Sequence, residues 1–186
     1  MISVKPKKNL GQHFLKDPLI AGRIADTLDA FAPLPILEVG PGTGMLTQFL
    51  LEKNRNLTVV EIDKESIAYL KDNFPQLNGN ILQQNFLSMD FTKHYNSDFC
   101  IIGNYPYNIS SQIFFKVLDN KEQIPCCSGM IQKEVAERMV ASPGSKAYGI
   151  LSVLLQAWYD IEYLFTVSEQ AFIPPPKVKS AVVRLT

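Results

Sequence analysis

An α/β fold, with a mostly parallel sheet covered by helices on both faces, is predicted by three observations. Short apolar runs alternate with amphipathic stretches along most of the chain. The runs are rich in Val, Ile and Leu on both strand faces, as in Ile36-Leu37-Glu38-Val39 and Phe99-Cys100-Ile101-Ile102. The first run passes directly into a glycine-rich turn and then into a helical pattern, the strand–turn–helix order of such folds.

Taken in order, Ile36–Val39 is a strand, and Leu46, Phe49 and Leu50 mark one face of the helix behind it. Leu57–Val60 is a second strand, followed by a helix carrying Ile67, Leu70 and Phe74. Asn80–Gln83 and Phe99–Ile102 continue the series. Ser110 is placed to cap a helix bearing Ile113, Phe114, Val117 and Leu118. Gly129–Ile131 is a strand with a helix over Lys133–Val140, and two late strands cover Glu162–Val167 and Ser180–Leu185. Pro174-Pro175-Pro176 between them forbids regular structure and forces an extended connection. Seven strands result.

Bulk properties narrow the class. At 186 residues, 46% hydrophobic and 19% charged, the chain suits one globular domain spanning 1–186. No apolar run approaches the roughly 20 residues that span a bilayer, and the front, Met1 to Lys8, lacks a signal-peptide core. Cys100, Cys126 and Cys127 lack metal-ligand spacing and lie among apolar neighbours, as expected of small hydrophobes in a reducing cytoplasm. Eighteen basic residues balance eighteen acidic ones, so any nucleic-acid contact needs a local basic face. Its candidates are Lys7, Lys8, Lys133, Arg138, Lys177 and Lys179, with Lys5 and Lys146 beside them; each also fits a solvated surface.

The turn Glu38-Val39-Gly40-Pro41-Gly42-Thr43-Gly44 lets a ligand approach the backbone. Its spacing departs from the Gly-x-Gly-x-x-Gly dinucleotide fingerprint. Pro41 also removes a donor that a pyrophosphate would use, and Glu38 brings negative charge. A cationic ligand without phosphate suits the turn, and S-adenosylmethionine is such a ligand. Glu61, ending the second strand, is placed to accept from both ribose hydroxyls. Ile62 can pack on the adenine face, and Asn85 can pair bidentately with the adenine edge. Alone, the turn also fits a tight connection, Glu61 a solvated strand end and Asn85 an ordinary turn residue.

Gly103-Asn104-Tyr105-Pro106-Tyr107-Asn108 follows the fourth strand. The exocyclic amine of adenine is a poor nucleophile because its lone pair is delocalised. The Asn104 side-chain oxygen and the Pro106 carbonyl would hold its hydrogens and localise that lone pair. Tyr107 offers a face for an unstacked base. Positioning supplies most of the catalysis, so neither a metal nor a strong general base is expected.

Together these residues resemble the KsgA-type ribosomal RNA adenine dimethyltransferases from Lys8 to Leu185. The resemblance is carried by Asn9-Leu10-Gly11-Gln12-His13-Phe14-Leu15, the Glu38–Gly44 turn, Val60–Asp63, the Asn104–Asn108 loop, Gln132–Arg138, Ser145–Gly149 and Phe172–Leu185. It implies a Rossmann-like class I methyltransferase fold, with residues 1–30 contacting cofactor and RNA. It further implies S-adenosylmethionine as methyl donor and S-adenosylhomocysteine as product. His13 and Leu15 would line the cofactor pocket with Gly40, Gly42, Glu61, Asn85 and Asn104, and Phe172 would close over the flipped base opposite Tyr107. The implied activity is N6,N6-dimethylation of two adjacent adenosines near the 3′ end of small-subunit (16S) rRNA in immature subunits; nothing in the sequence suggests an obligate partner, so a monomer is expected. Three departures stand out. Asn85 replaces the usual aspartate and Tyr105 the usual leucine. The family's small helical C-terminal domain does not follow Thr186, which suggests a catalytic domain on its own. Rival expectations are a large-subunit rRNA methyltransferase of the macrolide-resistance type, a non-catalytic RNA-binding assembly factor, and a dehydrogenase disfavoured by the glycine spacing.

Overall fold

The structure is a computed structural model that describes residues 4–186, so Met1–Ser3 of the front segment lie outside the described residues. In chain order the elements are β1 (Phe14–Leu15), α1 (Pro18–Asp26), β2 (Ile36–Val39), α2 (Met45–Glu52), β3 (Leu57–Glu61), α3 (Lys64–Asn73), β4 (Ile81–Gln83), β5 (Cys100–Asn104), α4 (Ser110–Asp119), β6 (Cys126–Gln132), α5 (Lys133–Met139), α6 (Ile150–Gln156), β7 (Ile161–Val167), β8 (Phe172–Ile173) and β9 (Ser180–Leu185).

Seven strands form one sheet in the order β4-β3-β2-β5-β6-β9-β7. The pairs from β4 to β6 are parallel, and β9 inserts antiparallel between β6 and β7. Alternating side chains of each central strand feed opposite cores. Leu37 and Ile101 join α4, α5 and α6 on one face, while Ile36, Cys100 and Ile102 join α1, α2 and α3 on the other. Both faces are thus buried, which is why the strands read as continuous apolar runs.

Chain order runs outward from β2 to β4 in one direction and from β5 to β6 in the other. This places the switch of direction between β2 and β5. Their carboxyl ends carry the glycine turn and the Asn104 loop, where an open α/β sheet binds ligands.

Four elements were not visible in the pattern: α1, α6 (Ile150–Gln156), β1 and β8. Helix α1 starts where Asp17 caps the amides of Leu19 and Ile20 with Pro18 in the first turn, and it buries Ala21, Ile24 and Ala25. Strands β1 and β8 pair antiparallel, Phe14 with Ile173 and Leu15 with Phe172, and strap the front segment over the end of the sheet. Ser110 is not the cap expected of it. It is the first residue of α4, and its hydroxyl donates to the Tyr107 carbonyl at 3.3 Å. All three cysteines are buried free thiols. Among the described residues no helix is long and apolar enough to cross a membrane, and no group of metal-ligating side chains gathers.

Candidate active site

One cavity opens at the switch point, and most of the expected residues line it: His13, Leu15, Glu38, Gly40, Gly42, Glu61, Ile62, Asn85, Asn104, Pro106 and Tyr107. The sequence reading missed Gln12, Phe14 and Leu87. Gln12 and Phe14 stand inside the Asn9–Leu15 motif, which was the available signal.

The glycine turn wraps around a pair of acids. Gly40, Gly42 and Gly44 all adopt positive φ (66°, 57° and 79°), and a Cβ on Gly42 would lie 2.9 Å from the Phe14 ring. Glu61 is 5% exposed. Its Oε1 accepts from the amides of Ile62 (2.8 Å) and Asp63 (2.9 Å), and its Oε2 from Gly42 (3.2 Å). The carboxylate therefore joins the end of β3 to the turn after β2, and it is no solvated strand end. Burial raises the Glu61 pKa against these three amides. Ile62 is an apolar side chain left 51% exposed at the cavity.

Glu38 corrects an expectation. The residue is 1% exposed, and among the described residues its carboxyl is bonded only by Thr47 Oγ1, which donates to Oε2 at 2.7 Å. Desolvation pushes its pKa up to about 8; Thr47 opposes this and neighbouring Glu61 adds to it. At neutral pH with no cation bound, Glu38 is mostly a neutral acid, not the standing negative charge inferred from sequence. A cation sharing the site would lower this pKa again and favour the carboxylate.

The folded-state pKa lies above the unfolded value of 4.5. Glu38 thus stabilises the cofactor-free fold fully below pH 4.5 and loses that contribution as pH rises through about 8. The wild-type minus Glu38→Gln difference in unfolding free energy should slope downward across this window, by up to about 1.4 kcal/mol per pH unit. Denaturant titrations across pH measure it, and a flat difference curve would return Glu38 to an ordinary carboxylate.

Asn85 is exposed, and its Oδ1 accepts from the Leu87 amide at 3.0 Å as a cap. For the bidentate adenine pairing expected of it, Nδ2 is free but Oδ1 keeps only one lone pair, on an oxygen already turned to the backbone. An aspartate there can cap with one oxygen and accept with the other. Asn85→Asp should tighten S-adenosylmethionine binding about tenfold, the worth of one added hydrogen bond to a charged group; calorimetry showing equal or weaker affinity would contradict this.

The Asn104 loop completes the cavity. Asn104 Nδ2 donates to the His13 carbonyl at 2.9 Å. A carbonyl can only accept, so the amide orientation is fixed and Oδ1 is the free atom. The Pro106 carbonyl accepts from the Ile109 amide at 3.2 Å and keeps its second lone pair. Tyr105 is among the residues that line the cavity, but its side chain packs into the core. Its ring is 1% exposed, wedged between Gly103 and Gly129, and its hydroxyl donates to the Ser128 carbonyl at 2.7 Å. Phe172 corrects a second expectation. It is 1% exposed, packed in the core where the β1–β8 pairing sets it opposite Leu15, and it is not among the residues that line the cavity.

The basic candidates divide. Lys7 bonds Asp63 at 2.5 Å and Glu65 at 3.1 Å, so it ties the front segment to the start of α3 and is not a free phosphate contact. Lys133 pairs with Glu137 (3.1 Å) and Arg138 with Glu134 (2.5 Å) on the surface of α5. Lys8, Lys177 and Lys179 are exposed and have no ion-pair partner among the described residues. Lys8 is two residues from cavity-lining Leu10, and Lys179 precedes Ser180, whose hydroxyl meets Tyr107. The Lys179 carbonyl accepts from the Lys133 amide at 2.9 Å.

The sheet order, the glycine turn and the two acids at the switch point define a class I S-adenosylmethionine-dependent methyltransferase. Comparison with known proteins narrows this further. The profile of the family described as ribosomal RNA adenine dimethylase matches residues 3–186, and the chain belongs to that family. It is 72% identical to the ribosomal RNA small subunit methyltransferase A of Parabacteroides distasonis over 98% of this chain and 69% of the relative. It is 66% identical to the protein of the same name from Bacteroides fragilis, over 98% and 68%. Among solved structures, a dimethyladenosine transferase from Plasmodium falciparum superposes with TM-score 0.78 at 31% identity, over 93% of this chain and 62% of that one. The 23S rRNA methyltransferase ErmE does so with TM-score 0.73 at 30% identity, over 92% and 68%. This chain thus spans roughly two thirds of the length of these relatives.

Proposed function

We propose that this chain is the catalytic domain of an enzyme that dimethylates N6 of two adjacent adenosines near the 3′ end of small-subunit (16S) rRNA. It would act as a cytoplasmic monomer on immature small ribosomal subunits. The observation that carries this is the Asn104 amide, locked by the His13 carbonyl so that its oxygen is the free atom, on a residue that lines one cavity with Glu38 and Glu61. The names of the relatives at 66–72% identity favour the small subunit over the large-subunit activity of ErmE. The intact Asn104, Pro106 and Tyr107 favour an enzyme over an RNA-binding assembly factor.

The donor supplies a methyl group on a positively charged sulfur. Glu38 and Glu61 provide acidic groups for a cationic ligand, and the backbone-held Glu61 carboxylate suits a ribose diol. Asn104 Oδ1 and the Pro106 carbonyl accept the two N6 hydrogens of a base laid on Tyr107, which concentrates the nitrogen lone pair on the side facing the donor. The proton lost from N6 goes to water.

Lys8 stands two residues before cavity-lining Leu10 and Lys179 one residue before Ser180, which meets Tyr107, and with exposed Lys177 they suit the phosphates of the substrate strand. Lys8→Ala and Lys179→Ala should each lower the slope of log K against log salt by about 0.7–0.9, one phosphate's worth. Lys7→Ala should leave that slope unchanged, because its charge is already met by Asp63 and Glu65. Equal slope losses in all three variants would put Lys7 back on the RNA face. The function is tested by transfer of labelled methyl groups to immature small subunits, followed by nucleoside analysis. Dimethyladenosine is expected, and its absence despite cofactor binding would overturn the proposal.

A further inference from the structure

Tyr107 is held in ways the proposed chemistry does not use. Its hydroxyl lies 2.5 Å from Ser180 Oγ, and Ser180 is fully buried as the first residue of β9. One ring face is covered by the His13 imidazole, with centroids 5.3 Å apart and planes 29° from parallel. His13 is itself fixed, since its Nδ1 lies 2.8 Å from the Pro174 carbonyl. Packed aromatic rings keep centroids about 4.5–7 Å apart. A third ring therefore does not fit between His13 and Tyr107, and a base can stack only on the opposite face.

Tyr107 stands beyond the end of β5, in a single turn whose backbone has no ladder to hold it. The sheet does hold Ser180, which pairs with Gln132 on one side and Val167 on the other. We propose that Ser180 is a positioning residue for methyl transfer: its hydroxyl anchors the tip of Tyr107 to β9 and fixes the tilt of the platform on which the target base lies. The Tyr107 hydroxyl then serves as a tether and takes no part in proton transfer. Misplacement of the base by an ångström costs up to about a hundredfold in rate, so the tether is felt in turnover although it touches neither substrate nor donor. This inference rests on the adenosine methyl-transfer reading above.

The test is a double-mutant cycle on Tyr107→Phe and Ser180→Ala, reading kcat and KM for RNA and Kd for S-adenosylmethionine. Each single variant should lower kcat/KM by roughly tenfold through kcat, with cofactor Kd unchanged. The double variant should be no worse than the weaker single one, because both changes remove the same bond. Penalties that multiply, or full turnover in Ser180→Ala, would overturn the inference. Should Ser180→Ala melt at a much lower temperature, Tyr107→Phe decides alone: it removes one oxygen, and unchanged kcat in it overturns the tether. Failure of the wild-type protein to methylate any adenosine RNA overturns the functional reading and the inference with it, whereas normal wild-type turnover with multiplying penalties overturns the inference alone.

Discussion

Asn104→Ala should lower the rate of methyl transfer about 10²–10³-fold, the usual effect of deleting one group that stabilises a developing charge. Cofactor affinity should change far less, because Glu38, Glu61 and the glycine turn remain. The side chain is tied by one hydrogen bond to the His13 carbonyl and is half-buried, so its truncation leaves the fold intact. Asn104→Asp separates geometry from chemistry. It keeps an acceptor toward the substrate but sets a carboxylate oxygen against the His13 carbonyl, two acceptors with no proton between them. That variant should also be severely impaired. Single-turnover rates with calorimetric Kd values decide the matter, and near-normal turnover in the alanine variant would end the proposed role of Asn104.

Glu61→Ala should weaken S-adenosylmethionine binding by about 10² or more, since two hydrogen bonds to a charged acceptor contribute on the order of 3 kcal/mol. The residue does more than meet the ligand. It collects the amides of Gly42, Ile62 and Asp63, so alanine also releases the glycine turn from the end of β3. Glu61→Gln should fall between, because its oxygen can still accept from Ile62 and Asp63 while its NH₂ meets the Gly42 amide donor to donor. Isothermal titration of the three proteins gives the order. Unchanged affinity in the alanine variant would remove Glu61 from the site.

The parts of this molecule that the sequence made legible are local. Ile36–Val39 and Ser180–Leu185 were read with their observed ends, because each is a short, mainly apolar run, the first bounded by a glycine turn and the second preceded by the proline segment. The glycine turn, Glu61 and Asn104 were legible because each sits at a strand's carboxyl end, where the fold gathers ligand contacts. What escaped depends on partners distant in the chain. Strands β1 and β8 are two residues each, too short for any periodicity, and form only because they meet. That meeting buries Phe172, which the motif alone could not reveal. Lys7 looked free because Asp63 and Glu65 lie far along the sequence. Glu38 looked charged because its formal sign is in the sequence, while the desolvation that neutralises it exists only in the packed core.

The tyrosine wedged behind the Asn104 loop occupies a space that the backbone alone already closes to its neighbours. A Cβ on Gly103 would lie 2.6 Å from the Val39 carbonyl oxygen, and one on Gly129 2.3 Å from the Gly103 carbonyl oxygen. Both positions are therefore held as glycine whatever stands at 105. The Tyr105 ring comes within 2.8 Å and 2.6 Å of the same two points, so it fills the room that the missing side chains leave. A leucine at 105 would leave the glycines as constrained as before, and it would strip the Ser128 carbonyl of its hydroxyl donor. Descent can thus vary position 105 on its own, while neither glycine gains any freedom from the exchange.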